Sequence, residues 1–237
     1  LGARVVQRGS LYHQSTTGPG ARTGTESMSK TAEMWNEKYK ADEYYYGTKP
    51  NDFLRLAVQG LKPGARVLSV GEGEGRNAVF LAKQGFKVTA IDASSVGRDK
   101  ALLLAKSSGV ELDYRVMDLN DGFESLGGDW DAIVSIWCHL PLKLRQEFYK
   151  WTPGALRAGG VFIFEGYTPK QLEFGTGGPK DVALLCEPQD IHRELLAGGG
   201  TAVEFEVLQA TEREVHEGTG HSGPSATLQI LMRRLAR

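Results

Sequence analysis

Cysteine is scarce in this 237-residue chain, which carries only Cys138 and Cys186. Two thiols in a chain of this length build no disulfide framework, and free thiols point to a reducing compartment, with the cytoplasm as the default location. Long apolar runs are missing too. No stretch approaches the ~18 consecutive apolar residues that a membrane-spanning helix needs, so no membrane span is read. Nor is there an excess of charge: 28 Lys and Arg stand against 29 Asp and Glu. A protein that grips nucleic acid by neutralising phosphates needs a cationic surplus, so no nucleic-acid partner is expected and a small-molecule substrate is favoured. No metal site is expected, and composition leaves the oligomeric state open.

What the chain has in quantity is glycine, 30 residues, with 41% hydrophobic residues. That combination suits alternating strands and helices joined by tight turns, with enough apolar material for a buried core. Residues 1–27 stand apart from the rest. They carry Arg4, Arg8 and Arg22 against a single acid, Glu26, with many Ser, Thr and Gly residues and no periodicity. Three readings fit: a disordered tail, an organellar transit peptide, or sequence upstream of a start at Met28. The folded domain is assigned to residues 28–237.

From Lys30 the pattern becomes regular. Met34, Trp35 and Tyr39 suggest a short amphipathic helix, and Asn51 or Asp52 caps a second one containing Phe53, Leu54 and Leu56. Strands are read at Arg66–Val70, Phe86–Ile91, Leu112–Val116, Asp131–Trp137 and Val161–Phe164. Helices are read at Asn77–Gln84, Ser94–Ser107 (with Ala101, Leu102 and Ala105 facing inward), Leu142–Leu156 and about Gln189–Leu196. Strand, helix, strand at this spacing implies right-handed crossovers and a parallel sheet covered on both faces. Two β-like runs, Ala202–Val215 and Ala226–Leu235, close the chain with only His216–Pro224 between them, which favours an antiparallel pair at the sheet edge. The fold class is therefore α/β: an open, mostly parallel seven-stranded sheet with helices on both faces.

The segment from Val67 to Asn77 joins the first of these strands to the helix that follows. A glycine motif in that position is informative, whereas alone it is weak. Ligands of open α/β sheets bind outside the carboxyl ends of the strands. A dinucleotide loop places its third glycine three positions after the second; here the glycines are Gly71, Gly73 and Gly75, and that position is Arg76. Glu72 and Glu74 would repel a pyrophosphate. They suit a ligand with positive charge, such as S-adenosyl-L-methionine with its sulfonium and ammonium. Asp92, followed by Ala93, ends the second strand, where a carboxylate can accept from both hydroxyls of a ribose. Asp118 follows the third, where it can accept from an adenine amino group while Met117 and Leu119 cover the ring. Either acid alone reads as a solvated loop residue; the two together at successive strand ends favour the cofactor.

Residues from about Trp35 to Pro141 resemble the class I methyltransferases in this glycine turn, in Asp92 and in Asp118. The strings Trp35-Asn36-Glu37-Lys38-Tyr39, Tyr46-Gly47-Thr48-Lys49-Pro50-Asn51 and Gly73-Glu74-Gly75-Arg76-Asn77 resemble the small tellurite-resistance type. The resemblance implies a Rossmann-like methyltransferase fold and cofactor contacts from Trp35, Tyr46, Gly71, Glu72, Gly73, Asn77, Asp92, Ala93, Met117, Asp118, Leu119 and Trp137. It also implies a pocket containing His and Arg for a small anion, for which His192-Arg193 is the local string; a solvated helix face is the competing reading. The chain departs from the family at Ser69, where an acid is common, and at Glu72, where a small residue is common. Glu72 is read as the carboxylate that Ser69 lacks, holding the methionine ammonium.

Methyl transfer is an in-line displacement, for which alignment of the reactants supplies much of the acceleration. A thiolate or chalcogen anion needs no strong base, whereas a hydroxyl or amine does. Trp35 and the run Tyr44-Tyr45-Tyr46 precede the sheet as a lid over the cofactor, or else as core packing. Trp137, Cys138 and His139 end the fourth strand beside the expected methyl position. His139 is the candidate acceptor contact or proton relay, with a structural hydrogen bond as the alternative; Cys138 reads as a small buried residue. Tyr45, Glu165, His192 and Arg193 are candidates for the substrate pocket. The favoured function is methylation of a thiol, selenium or tellurium species. A small aromatic or carboxylate acceptor, and a binding module without turnover, are the alternatives.

Overall fold

In the computed structural model, residues 29–198 and 201–236 are described. The tail at residues 1–27, with its three readings, lies outside them. The chain forms seven strands: β1 Arg66–Val70, β2 Lys87–Asp92, β3 Asp113–Val116, β4 Trp130–Ile136, β5 Leu156–Tyr167, β6 Val203–Glu217 and β7 His221–Arg234. Their order in the sheet is β3-β2-β1-β4-β5-β7-β6. The first five run parallel. β7 runs antiparallel to both β5 and β6, so the antiparallel pair lies at the edge, with β7 the reversed strand and β6 outermost.

The helices are α1 Lys30–Lys38, α2 Asp52–Ala57, α3 Arg76–Lys83, α4 Ser95–Ser107, α5 Leu142–Ala155 and α6 Pro188–Leu196. Successive residues of a buried strand point to opposite faces, and the core divides accordingly. Val67, Ala90, Ala132, Val134 and Ile163 join Leu54 of α2 and Leu81 of α3. Leu68, Ile133, Phe162 and Phe164 join Phe148 and Tyr149 of α5 and Ile191 and Leu195 of α6 on the other side. Both faces are covered, which is why the central strands are nearly continuous apolar runs.

Several boundaries differ from the sequence reading, each for a local reason. β5 begins directly after α5, pairing Leu156 with Trp130 before an irregularity in register restores the ladder at Val161. The last connection is not the nine-residue loop His216–Pro224: pairing continues to Glu217 opposite His221, leaving a turn of Gly218, Thr219 and Gly220. Leu102 is 39% exposed, because the inward stripe of α4 is carried by Ala101 and Ala105. The β3–β4 crossover contains no α-helix and is made by short 3₁₀ turns at Leu119–Asp121 and Glu124–Leu126.

α5 and α6 are joined by a buried ion pair, Arg145 with Glu194, in a two-pronged arrangement at 3.0 and 2.9 Å. Their side chains are 5% and 4% exposed. Removing one partner strands the other charge in a dry interface, so Glu194→Ala is expected to cost about 3–5 kcal/mol in chemical denaturation.

Candidate active site

The chain leaves β1 to one side for β2 and β3 and later crosses to the other side for β4 and β5. The switch point is therefore between β1 and β4, and a cleft opens at the carboxyl ends of these strands. Gly71, Glu72, Arg76 and Asn77 from the β1–α3 turn line its middle. Asp92, Ala93, Met117, Asp118 and Leu119 line one end. Trp137, Cys138 and His139 line the other, and Trp35, Tyr39 and Tyr46 cover it.

Each glycine of the turn has its own reason. All three have positive φ: 66°, 61° and 89° at Gly71, Gly73 and Gly75. A Cβ on Gly71 would stand 2.6 Å from the Cys138 sulfur, and one on Gly75 would stand 2.5 Å from the Cβ of Ala101 in α4. One glycine thus lets β1 and β4 end side by side under the cleft, and the other lets α3 pack against α4. Gly73 does not line the cleft. The Tyr39 hydroxyl lies where its Cβ would be, and its N–H donates to Asp92 at 2.9 Å.

Glu72 is 7% exposed. Its carboxylate accepts from the Ser69 hydroxyl and, at 2.7 Å, from the backbone N–H of Ala78. Burial pushes its pKa up to about 7, against the pull of those bonds and of Arg76. Asp92 accepts from Gly73 N–H and, at 2.8 Å, from Ser94 N–H; burial raises its pKa as well. Asp118 accepts from the backbone and side-chain amides of Asn120 at 3.0 and 2.8 Å. Carboxylate oxygens have two acceptor sites each, so these acids keep capacity for a ligand's donors. Glu74 is turned away from the cleft and pairs with Lys100 at 2.6 Å.

The cover is fastened at several points. Asn36 of α1 accepts from the Ser94 hydroxyl at 2.7 Å and from Val96 N–H at 3.2 Å. The Lys100 ammonium donates to the carbonyls of Ala41 and Glu43, both at 2.7 Å. Thr219 N–H donates to the Tyr45 carbonyl at 2.9 Å, and a side chain on Gly218 or Gly220 would strike the Tyr45–Gly47 segment.

At the far end, Trp137 adopts φ 56°, a left-handed conformation rare for a bulky residue. Its N–H donates to the Glu165 carbonyl at 2.8 Å, its indole N–H donates to Glu217 at 2.6 Å, and its ring stacks on Tyr167 at 4.4 Å. His139 Nε2 accepts from Tyr167 N–H at 3.2 Å, and the ring also bonds the Trp137 backbone. Burial lowers its pKa to about 4. It is thus a neutral imidazole with its ring nitrogens engaged, which favours the structural reading over a proton relay.

Other candidates fall outside the cleft. Tyr45 packs edge-on against Tyr46 at 4.9 Å, beneath the Lys38 ammonium at 4.6 Å. Glu165 is fully buried behind Trp137, in a two-pronged pair with Arg213 at 2.9 and 2.8 Å. His192 packs on Phe205 at 4.8 Å, and Arg193 pairs with Asp190 of the same helix at 2.6 Å. His192 is thus spent on packing against β6 and Arg193 on an exposed pair within α6, and neither lines the cleft. Residues to which the sequence reading gave no settled site role take their place: Arg76 and Tyr39 in the cleft, and Glu217 and His221 behind it. His221 is 3% exposed, bonded to the Tyr167 hydroxyl at 2.8 Å and stacked on Tyr46 at 4.7 Å. The sequence signal for both was Gly218-Thr219-Gly220, a hairpin turn flanked by paired strands.

A strand-end cleft with buried acids and a bare glycine turn is that of an adenosyl-cofactor enzyme, and comparison with known proteins agrees. The model of the methyltransferase domain family matches residues 67–160. The ubiquinone biosynthesis O-methyltransferase of Xanthomonas campestris pv. campestris is 31% identical over 183 residues, covering 76% of this chain and 75% of that protein. That of Xanthomonas axonopodis pv. citri is 41% identical over 197 residues, covering 81% and 77%. The fold is shared with the N-methyltransferase NodS of Bradyrhizobium japonicum in complex with S-adenosyl-L-homocysteine, with a TM-score of 0.63, 14% identity and coverage of 87% and 99%. It is shared with TehB of Haemophilus influenzae too, at 0.60 and 16%, covering 87% and 67%. The chain belongs to the class I S-adenosylmethionine-dependent methyltransferases.

The residues present fit that cofactor. Glu72, buried, and Asp92, half-buried, are acids held mainly by hydrogen-bond donors, so both favour a ligand that brings positive charge or further donors. Gly71→Ala puts a side chain against Cys138 beneath the cleft. It is expected to weaken S-adenosylhomocysteine binding by roughly tenfold or more, read by calorimetry.

Proposed function

We propose that this methyltransferase acts on a small acceptor that arrives already ionised, a thiolate or a related selenium or tellurium anion. The cofactor, when bound, supplies an electrophilic methyl group on a sulfonium. Glu72 and Asn77 would hold its methionine end, Asp92 its ribose, and Asp118, Met117 and Leu119 its adenine. Trp35, Tyr39 and Tyr46 exclude water from above.

One observation carries the choice of acceptor: among the described residues that line the cleft at the Trp137 end, no side chain is a free base near neutral pH. His139 is held neutral with its nitrogens occupied. The Cys138 thiol is pushed up to about 12 by burial, and the Tyr46 hydroxyl is raised as well. Arg76 is paired with Glu217. A soft anion needs alignment rather than deprotonation. The named O-methyltransferase relatives favour a second reading, an aromatic hydroxyl acceptor, for which the rings of Trp35, Tyr46 and Trp137 offer flat walls.

Turnover to S-adenosylhomocysteine with thiophenol, hydrogen selenide, tellurite and catechol separates the readings. At saturating cofactor, the pH profile should shift with the acceptor's own ionisation. One inflection common to all acceptors would reveal an enzymic base and overturn the proposal. Tight cofactor binding with no product from any acceptor would favour a binding module.

Glu72 adds a pH signature. Its carboxyl holds a proton more tightly folded than unfolded, so its contribution to apo-protein stability declines as pH rises from 4.5 toward 7. Cofactor affinity should do the reverse, rising through about pH 7 as the carboxylate forms to meet the ammonium. Glu72→Gln should flatten both trends, read by melting and by calorimetry across that window; an unchanged affinity profile would remove Glu72 from the ammonium site.

A further inference from the structure

Glu217 sits at the last residue of β6, far along the chain from the glycine turn, and the sequence reading placed it in a loop. In the structure its carboxylate is 7% exposed and meets three elements at once. It accepts from the side-chain amide of Asn51 at 2.8 Å, pairs with the guanidinium of Arg76, and accepts from the indole N–H of Trp137 at 2.6 Å. Arg213 stands 3.6 Å away. Asn51 caps α2 at the end of the cover segment, and Arg76 and Trp137 both line the cleft.

Trp137 is the member that matters most for chemistry. A left-handed backbone on a bulky residue costs of order 1–3 kcal/mol and persists only where the surroundings over-determine it. Three contacts do so here: the Glu165 carbonyl on the backbone N–H, Tyr167 under the ring, and Glu217 on the indole N–H. Of these, only the Glu217 bond distinguishes two settings of the ring that share one plane and differ by a half-turn about Cβ–Cγ. That setting decides which edge of the indole faces the cleft beside His139 and Cys138.

We propose that Glu217 is a positioning residue for methyl transfer, acting through Trp137 to set the wall against which the acceptor lies. The assignment rests on the methyltransferase reading above but not on which acceptor class is correct. Arg76 and Arg213 stand beside the carboxylate, which receives the indole N–H as a charge-assisted bond. Asn51 adds a consequence: the same carboxylate fastens the cover segment, so the acceptor wall and the lid share one anchor.

The test is a double-mutant cycle on Trp137→Phe and Glu217→Gln, with thiophenol and catechol as acceptors. Trp137→Phe keeps a flat ring while removing the N–H partner together with the second ring of the indole, and the cycle with Glu217→Gln isolates the part that belongs to the bond. Each single variant should raise the KM for whichever acceptor is turned over by roughly tenfold, while S-adenosylhomocysteine affinity changes less than about threefold. The double variant should be no worse than the poorer single. Glu217→Gln, which keeps an acceptor oxygen for the indole, should retain more activity than Glu217→Ala. If Glu217→Gln does not fold, Trp137→Phe alone still decides, because a normal acceptor KM there rules out the proposed route. Additive losses, or losses confined to cofactor affinity, would also overturn it. Absence of turnover by the wild-type protein with both acceptors would instead count against the function proposed above.

Discussion

Two carboxylates buried at the rim of the sheet, Glu165 and Glu217, have to be neutralised, and the arrangement that neutralises them organises this molecule. An unpaired charge in such a place is prohibitive. Arg213 grips Glu165 with two bonds, Arg76 pairs with Glu217, and Asn51 bridges both acids at 2.6 and 2.8 Å. Gln229 of β7 donates to Glu165 at 2.7 Å. The start of α3, the ends of β5 and β6, the middle of β7 and the segment that leads into α2 are thereby tied to one polar knot. Replacing it with apolar groups would offer comparable burial but no such geometric specification, since dispersion has little directionality.

The knot divides the cleft into two ends with different physics. At the end lined by Asp92, Met117, Asp118 and Leu119 the protein presents backbone, acids and an apolar strip, the surfaces that the proposed binding mode gives to the adenosine. At the Trp137 end it presents aromatic faces and neutral or fully paired groups. Under the proposed function, a surface of that kind would choose by shape and by the ionisation of what enters. The two ends meet at Gly71, where β1 and β4 terminate within contact of each other.

Much of this was legible in the residue order because it is local. The strands that became β1 and β4 announce themselves as short apolar runs, and Asp92 and Asp118 stand at strand ends where a parallel sheet puts its ligands. The spacing of Gly71, Gly73 and Gly75 separated the adenosyl cofactor from a dinucleotide before any coordinates. What was not legible depends on distant pairing. Glu165 looks like a pocket acid until Arg213 is seen folded onto it. His192 and Arg193 look like an anion site until the one is seen packed on Phe205 of β6 and the other paired with Asp190. Glu217 looks like loop until the register of β6 and β7 carries the ladder as far as His221. Gly73, legible as a turn residue, proved to serve Tyr39 and Asp92 and not the cleft itself.

The hairpin formed by β6 and β7 also sets an order of events during folding. The contacts that complete the acceptor side span enormous loops: Asn51 to Glu217 closes across 166 residues and Tyr45 to Thr219 across 174. Closing such loops is entropically costly and is rewarded only late. On a ribosome the glycine turn and β4 emerge and collapse well before Glu217 is synthesised. A nascent or truncated chain can therefore possess every cofactor residue and still lack the wall at Trp137. The indole of Trp137 gains its carboxylate partner only when that hairpin has paired.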